Sequence, residues 1–428
     1  MPKDQPTGQA WPTFVILALA MGGFAIGTTE FATMSLLPYF ADSLKIDAPT
    51  AGHVISAYAL GVVIGAPVIA VVAARMSRRT LLILLMGMFA LGNGLSALAP
   101  TYGWMMAFRF LSGLPHGAYF GIASMVATSL VPLNKRTQAV GQVFLGLTIA
   151  TVIGVPLANW LGQAVGWRWS FAVVAVLGLT ALTLVALFAP RDTPDPRSSP
   201  LRELSALRLG QVWLTLGIGA IGFGGLFAVY TYLASTLTAV TRVSEGFVPM
   251  VLCVFGLGLT FGNLVVPRFA DRARMPTAGA LLVWSAAALA LYPLAALNIW
   301  TVTVDVFLIG IGAALATVLQ TRLMDVSGDA QALPAALNHS AFNTANALGP
   351  WLGGMAIAAG FGWTSTGWVG LPAGARRPHR LASVSRNRAP DGAARKAPWR
   401  VVPGGGRLIG MAGRTSSLRS APFCRAIR

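Results

Sequence analysis

The sequence predicts an all-α polytopic membrane protein built as two six-helix pseudo-symmetric halves. Three observations lead there. Apolar stretches long enough to cross a bilayer recur along the chain, lysine and arginine crowd into alternate connecting loops, and segments 196 or 197 residues apart repeat one another.

The first observation sets the solvent. With 55% hydrophobic and only 10% charged residues in 428, the chain carries more apolar surface than a soluble core of that length needs. Eleven apolar runs fall at 12–37, 51–73, 80–99, 103–130, 138–160, 168–189, 211–236, 247–267, 277–297, 299–322 and 333–359. Each is about 20 residues or longer, enough for a helix to span a hydrocarbon core of roughly 30 Å. The runs are continuously apolar and lack the polar alternation of a barrel strand, so helices are expected. The first run is too long for a signal-peptide core and is expected to stay attached. Cys253 and Cys424 have neither metal nor redox spacing.

The second observation sets orientation, because loops rich in Lys and Arg stay in the cytoplasm. One set of alternate loops holds fourteen: Lys3, Arg75, Arg78, Arg79, Lys135, Arg136, Arg191, Arg197, Arg202, Arg208, Arg268, Arg272, Arg274 and Arg322. The other set holds three, Lys45, Arg168 and Arg242. The expectation is a multi-pass protein of a bacterial-type inner membrane with its N-terminus in the cytoplasm.

The third observation sets the architecture. The segment 65–75 (GAPVIAVVAAR) falls on 262–272 (GNLVVPRFADR) at an offset of 197, and Trp167 falls on Trp363 at 196. Residues 11–190 then form one six-helix bundle, 191–210 a cytoplasmic linker, and 211–370 a second bundle. The repeat calls for a twelfth span near 364–385, but the sequence there turns rich in Arg, Pro and Gly. Residues 371–428 hold thirteen Lys or Arg and one Asp, which is +12 of the formal +18. This reads as a basic, disordered tail, an out-of-frame continuation of a GC-rich gene that replaced the twelfth helix. The charge is therefore a property of the tail, and no nucleic-acid partner is expected.

Small residues at four-residue spacing mark helices that approach closely in lipid. They run through the second span (Ala57, Gly61, Gly65), the fifth (Gly146, Ala150, Gly154, Ala158, Gly162), the eighth (Gly258, Gly262) and the eleventh (Ala341, Ala345, Gly349, Gly353). These are corresponding helices of the two repeats. Packing seams are the expectation, with rigid-body rocking an added use.

Ionisable residues inside spans are costly, about 2.5–3.5 kcal/mol each at the centre, so each is a candidate for function. Arg109, Ser112, Gly113, His116 and Phe120 share one face of the fourth span, which is expected to line a water-filled cavity. Glu30 in the first span is the natural counter-charge, either as a proton-coupling pair with Arg109 or as a static ion pair. His339, Asn343, Asn346 and Pro350 make a polar stripe on the eleventh span, for substrate or for helix-to-helix hydrogen bonding. Asp305 is either a second protonation site or a residue near enough to the helix end to reach the interface, and His53 is expected to be solvated. Arg75, Arg78 and Arg79 after the second span, with Asp271 and Arg272 in the second half, are candidates for gating loops that pair with helix ends or acids.

These residues resemble the drug-proton antiporter branch of the major facilitator superfamily, most closely its arabinose-efflux-permease-like group. The resemblance covers 11 to about 370. It rests on FAIGTTEF with MSLLP, AGHVISAYALGVVIGAP, RFLSGLPHGAYFG, GLTIATVIGVPLANWLGQAVGWRWSF and LNHSAFNTANALGPWLGG. It implies the major facilitator fold, a gating motif after the second span, a proton-coupling motif at Arg109 and Gly113, and an antiporter motif holding Gly154 and Pro156. Two departures stand out: Ala74 occupies the place of the gating motif's acid, although Asp271 keeps it in the second half, and the twelfth helix is missing. The reading is a proton-coupled exporter of a small organic molecule such as a sugar, nucleoside or drug, working by alternating access as a monomer in lipid. The alternatives are an uptake symporter and an inactive truncated membrane protein. No enzyme chemistry, metal site or cofactor is expected, and without a phosphate-binding GxxxxGK[ST] motif ATP is not the expected energy source.

Overall fold

Long apolar runs leave backbone polar groups only one way to be satisfied in lipid, by their own helix. The computed structural model describes residues 11–46, 48–193 and 199–369, and among these every regular element is helical. Eleven rods follow in chain order: α1 (Trp11–Ser35), α2 (Ala48–Val72), α3 (Arg78–Ala97), α4 (Tyr102–Ser129), α5 (Leu133–Ala164), α6 (Trp167–Phe188), α7 (Gly210–Thr241), α8 (Val248–Ala270), α9 (Arg274–Ala295), α10 (Ile299–Val326) and α11 (Ala332–Ala356). All belong to one compact unit, Met1–Arg377. The predicted place of the twelfth span beyond 369, the tail 371–428 and Cys424 lie outside the described residues. A short 3-10 helix, Trp363–Trp368, precedes them and packs on α7 and α9.

Nine rods are long and apolar enough to cross a membrane on length and composition alone. The other two are α4 and α11, whose apolar runs are diluted by Arg109, Ser112 and His116 and by Asn338, His339, Asn343 and Asn346. The outer faces carry apolar side chains such as Leu91, Trp160, Val176, Trp213, Val283 and Trp351, all exposed, which only lipid can solvate. Local signals set several boundaries. Ser77 Oγ accepts the Thr80 amide at the start of α3, and Asn298 Oδ1 accepts the Trp300 amide at the start of α10. Within α5, residues Ala150–Gly154 widen into a π turn just before Pro156, which has no N–H to donate.

One apolar core gathers side chains of α1, α3, α4, α5 and α6, and a second gathers those of α7, α8, α9, α10 and α11. The two have the same skeleton. In α2 against α4, a Cβ on Gly61 would lie 2.3 Å from the Phe110 carbonyl oxygen, on Gly65 2.2 Å from that of Leu114, and on Gly113 2.2 Å from that of Tyr58. In α8 against α10, Gly258 meets Phe307 at 2.2 Å, Gly262 meets Ile311 at 2.6 Å, and Gly310 meets Phe255 at 2.6 Å. Each contact is its partner's shifted by 197 positions. Only glycine lets these backbones touch.

The two ends of the molecule differ. At the arginine-bearing end α4 and α11 touch, because Gly117 and Gly121 face the Ala335 and Ala336 backbone, and α5 and α8 touch where Gly141 faces Asn263 and Pro267. At the other end a cleft opens between α1, α2, α7 and α11.

Candidate functional site

The polar residues of α1, α3 and α4 converge on a buried cluster. Arg109 is 1% exposed, and its Nη1 donates to Thr29 Oγ1 at 2.9 Å. Thr29 Oγ1 donates to Asn93 Oδ1 at 2.7 Å, and Asn93 Nδ2 donates to the Phe89 carbonyl at 2.9 Å. The guanidinium lies 4.4 Å from the Tyr58 ring centroid and 5.4 Å from that of Phe171. The charge is thus held by a hydroxyl and two aromatic faces.

Glu30 and Arg109 are not in direct contact, since no hydrogen bond or salt bridge joins them, although each charge acts on the other through space. The reason is helical geometry. Thr29 and Glu30 are successive residues about 100° apart around α1, so Thr29 turns to Arg109 while Glu30 turns to a central cavity. That cavity is lined from both halves, by Glu30, Phe31, His116 and Phe144 on one side and by Tyr230, Phe255, His339 and Asn343, with Asn346, on the other.

His116 and His339 meet across the halves, Nε2 to Nδ1, at 3.2 Å. Tyr58 Oη lies 3.0 Å from His116 Nδ1, so the aromatic face under Arg109 also touches the histidine pair. His339 stacks on Phe120 at 4.4 Å between ring centroids. Asn343 Nδ2 donates to the His339 carbonyl, which leaves Asn343 Oδ1 and His339 Nε2 buried without partners. On the α11 stripe, His339 therefore bonds between halves, and His339, Asn343 and Asn346 line the cavity.

Asp305 does not reach the interface. It is 5% exposed on α10, and its Oδ2 has no partner. Its side chain turns into the second core instead of along the helix toward the end. His53 is exposed, with Nδ1 3.1 Å from Tyr102 Oη. Gly154 sits where α5 crosses α1, and a Cβ there would meet Thr28 Oγ1 at 2.2 Å. Pro156 opens the helical segment that follows. Thr29, Asn93 and Tyr58 were not singled out from sequence. Asn93 was legible as the lone amide in an apolar span, but nothing in the sequence aimed it at Thr29.

At the arginine-bearing end, acids cap helix starts. Asp271 accepts the Thr137 amide at 2.7 Å, the Gln138 amide at 3.1 Å and Gln138 Nε2 at 3.0 Å, tying the second half to the start of α5. Asp192 accepts the Arg78 and Arg79 amides at 2.8 and 3.2 Å, and Arg79 Nη2 bonds the Ala186 carbonyl. Arg75 and Arg272 are exposed. Arg136 pairs with Asp325 at 3.6 Å, and Arg274 pairs with the same acid. Where Ala74 leaves the first half without an acid, the linker helix Pro200–Ser205 provides one. Glu203 accepts the Leu333 amide at the start of α11 at 2.8 Å, and Arg202 pairs with Asp329 at 2.8 Å. Burial pushes the Glu203 carboxyl above its ordinary value, against the opposing pull of the Leu333 and Ala332 amides and Arg202.

A two-bundle helical membrane protein with one central cavity, sealed at one end and open at the other, has the form of a secondary transporter. The Major Facilitator Superfamily model matches residues 19–272. The chain is 39% identical over 352 residues to the "Inner membrane transport protein YdhP" of Escherichia coli, covering 82% of this chain and 90% of that one. It is 33% identical over 343 residues to a "Chloramphenicol resistance protein" of Streptomyces lividans, covering 78% and 86%. The fold matches the human organic anion transporter MFSD10 with a TM-score of 0.67 at 15% identity, over 86% of this chain and 98% of that one. This chain belongs to the major facilitator superfamily. It is a multi-pass membrane protein of a transporter family.

Proposed function

We propose that the chain is a proton-coupled exporter of a small organic molecule, working by alternating access in an inner membrane. Residues 11–190 and 211–370 act as the two moving bundles, joined by 191–210, with the arginine-bearing end in the cytoplasm. The observation that carries this reading is the division of labour between adjacent residues of α1. Thr29 is tied to the buried Arg109 while Glu30 faces the shared cavity, so a change in charge at Glu30 is felt by a cation fixed to the next residue. The described state is closed at the arginine-bearing end and open at the other. In the proposed cycle a proton reaching Glu30 from the open side displaces substrate. The proton leaves after the α4–α11 and α5–α8 contacts part and the arginine-bearing end opens. The name of the Streptomyces relative supports outward transport.

Everted membrane vesicles test this. Acidifying the lumen is expected to drive substrate inward, and Glu30→Gln is expected to abolish that response while leaving substrate exchange. Substrate moving out of the vesicles with the proton gradient would overturn export in favour of symport.

A further inference from the structure

We propose that Arg136, Arg274 and Arg322 form a binding site for a phosphate oxyanion, which ties the first half of the molecule to the second at the arginine-bearing end. None of the three lines the central cavity. Three observations lead to the site.

The first is convergence. Arg136 lies in the first turn of α5, Arg274 opens α9, and Arg322 is one turn from the end of α10, so guanidinium groups from three helices and both halves gather at one end. They are close enough to repel: the charges of Arg136 and Arg322 both act on Arg274 through space.

The second is a shortage of acid. Asp325 bonds within the cluster, taking Arg136 on one oxygen at 3.6 Å and Arg274 on the other. The Asp271 charge also reaches Arg274 through space, but its oxygens already accept the Thr137 and Gln138 amides and the Gln138 side chain. Arg322 has no acid among the described residues. Its Nη2 reaches only the neutral Gln211 Oε1, at a long 3.4 Å. Three cations thus share two carboxylates, and the exposed Lys135 and Arg272 add positive charge beside them in the chain.

The third is the set of unmet donors. Arg274 Nε and Arg322 Nε are both buried without partners among the described residues. Buried N–H groups of a guanidinium call for acceptors, and a phosphate group offers several oxygens and the missing negative charge together, in a geometry that suits the guanidinium fork. Inorganic phosphate and the headgroup of an anionic phospholipid carry this same chemistry. Either can arrive: Met275, next to Arg274, and Trp213, two residues from Gln211, are exposed, so the cluster sits where the lipid-covered surface meets the polar end.

The experiment is thermal unfolding of the purified full-length chain at fixed ionic strength, with inorganic phosphate or chloride, in nanodiscs of phosphatidylcholine alone or with phosphatidylglycerol. A saturable rise in unfolding temperature is expected over the value in chloride and phosphatidylcholine. A rise with phosphate in phosphatidylcholine assigns the free ion, and a rise with phosphatidylglycerol alone assigns the lipid; both sustain the site. Arg322→Gln is expected to weaken the response about tenfold. In chloride and phosphatidylcholine the same variant is expected to unfold no lower than the parent, because it relieves a repulsion, and a merely structural arginine would not behave so. Arg136→Gln, a second variant, is expected to weaken the response by a similar factor. Arg268→Gln, which removes an exposed cation outside the cluster, is expected to stay within about twofold of the parent. The proposal is overturned by no saturable rise with either probe, by an equal loss in Arg268→Gln, or by an Arg322→Gln variant equally destabilised with and without the probes. Unaltered binding in Arg136→Gln would also overturn it, since the ion would then not join the halves.

Discussion

At an offset of 197, Thr29, Glu30, Arg109 and His116 of the first half fall on Leu226, Phe227, Val306 and Ala313 of the second. The backbones at these positions are held by matching glycine contacts, α2 on α4 and α8 on α10, yet every polar side chain of the set is replaced by an apolar one. The cavity wall reflects this: Glu30 and His116 line it from one side, Phe227 and Ala313 from the other. Duplication explains the shared skeleton, because close helix approach is a backbone property that tolerates any side chain pointing elsewhere. Polarity is under a different constraint. A buried charge needs a full set of partners, and building one such set is already expensive. At these four positions the ionisable residues belong to the first half, and the second half supplies apolar side chains in their place.

The sharpest way to break this comparison is to exchange the roles. Arg109→Lys is expected to lower proton-driven transport about 10- to 100-fold, because an ammonium cannot keep both the Thr29 bond and the stacked Tyr58 face and a lost charged hydrogen bond is worth about 1.5–3 kcal/mol. The positional counterpart Val306→Leu is expected to stay within about threefold in the same vesicle assay. Comparable losses at the two positions would remove the asymmetry.

The shared skeleton makes the opposite demand. Gly61→Val and Gly258→Val are each expected to destabilise the protein by about 1–3 kcal/mol, since either Cβ would strike a carbonyl oxygen of the facing helix. Thermal unfolding in detergent is the measurement. A loss in only one half would show that the contacts are not equivalent.

Smaller effects are expected at the capped helix starts. Asp271→Ala and Glu203→Ala should each cost about 0.5–2 kcal/mol, as loss of a helix cap does, and should raise labelling of a cysteine placed at Ala336. Equal labelling of both variants would mean that the linker acid serves where Ala74 offers none. Unchanged labelling in Glu203→Ala would leave Asp271 as the closing acid of that pair.

The smallest effect is pH dependence. Burial holds the Glu203 carboxyl above its ordinary value, so the folded protein binds that proton more tightly than the unfolded chain does. Its contribution to stability is therefore fully present below the ordinary glutamate value and is lost as pH rises through the raised one. Glu203→Gln keeps an oxygen to accept the Leu333 amide and is expected to flatten that slope, read as unfolding temperature across mildly acidic to neutral pH. An unchanged slope would assign the dependence to other groups.

Much of this molecule was legible in its residues. Run length and continuity of apolar residues predict the eleven rods, because backbone hydrogen bonding in lipid leaves few alternatives to a helix. The pairs Gly65 with Gly262 and Arg75 with Arg272 expose the repeat, since a duplicated skeleton keeps its glycines at one offset. The cost of polar groups in an apolar run marks Glu30, Arg109, His116 and His339 as candidates. Partner choice was not legible. Glu30 and Arg109 look like a pair on charge alone, but the 100° step from Thr29 to Glu30 sends one side chain behind α1 and the other into the cavity. Asp305 sits near a helix end, but its rotation about α10 turns it into the second core. Ala74 looks like a lost latch, and only the path of the linker brings Glu203 to Leu333, 130 residues away. Composition and periodicity decide what a segment becomes, because those forces act within one helix. Which side chain meets which depends on rotation and crossing between helices, and the packed whole alone sets those.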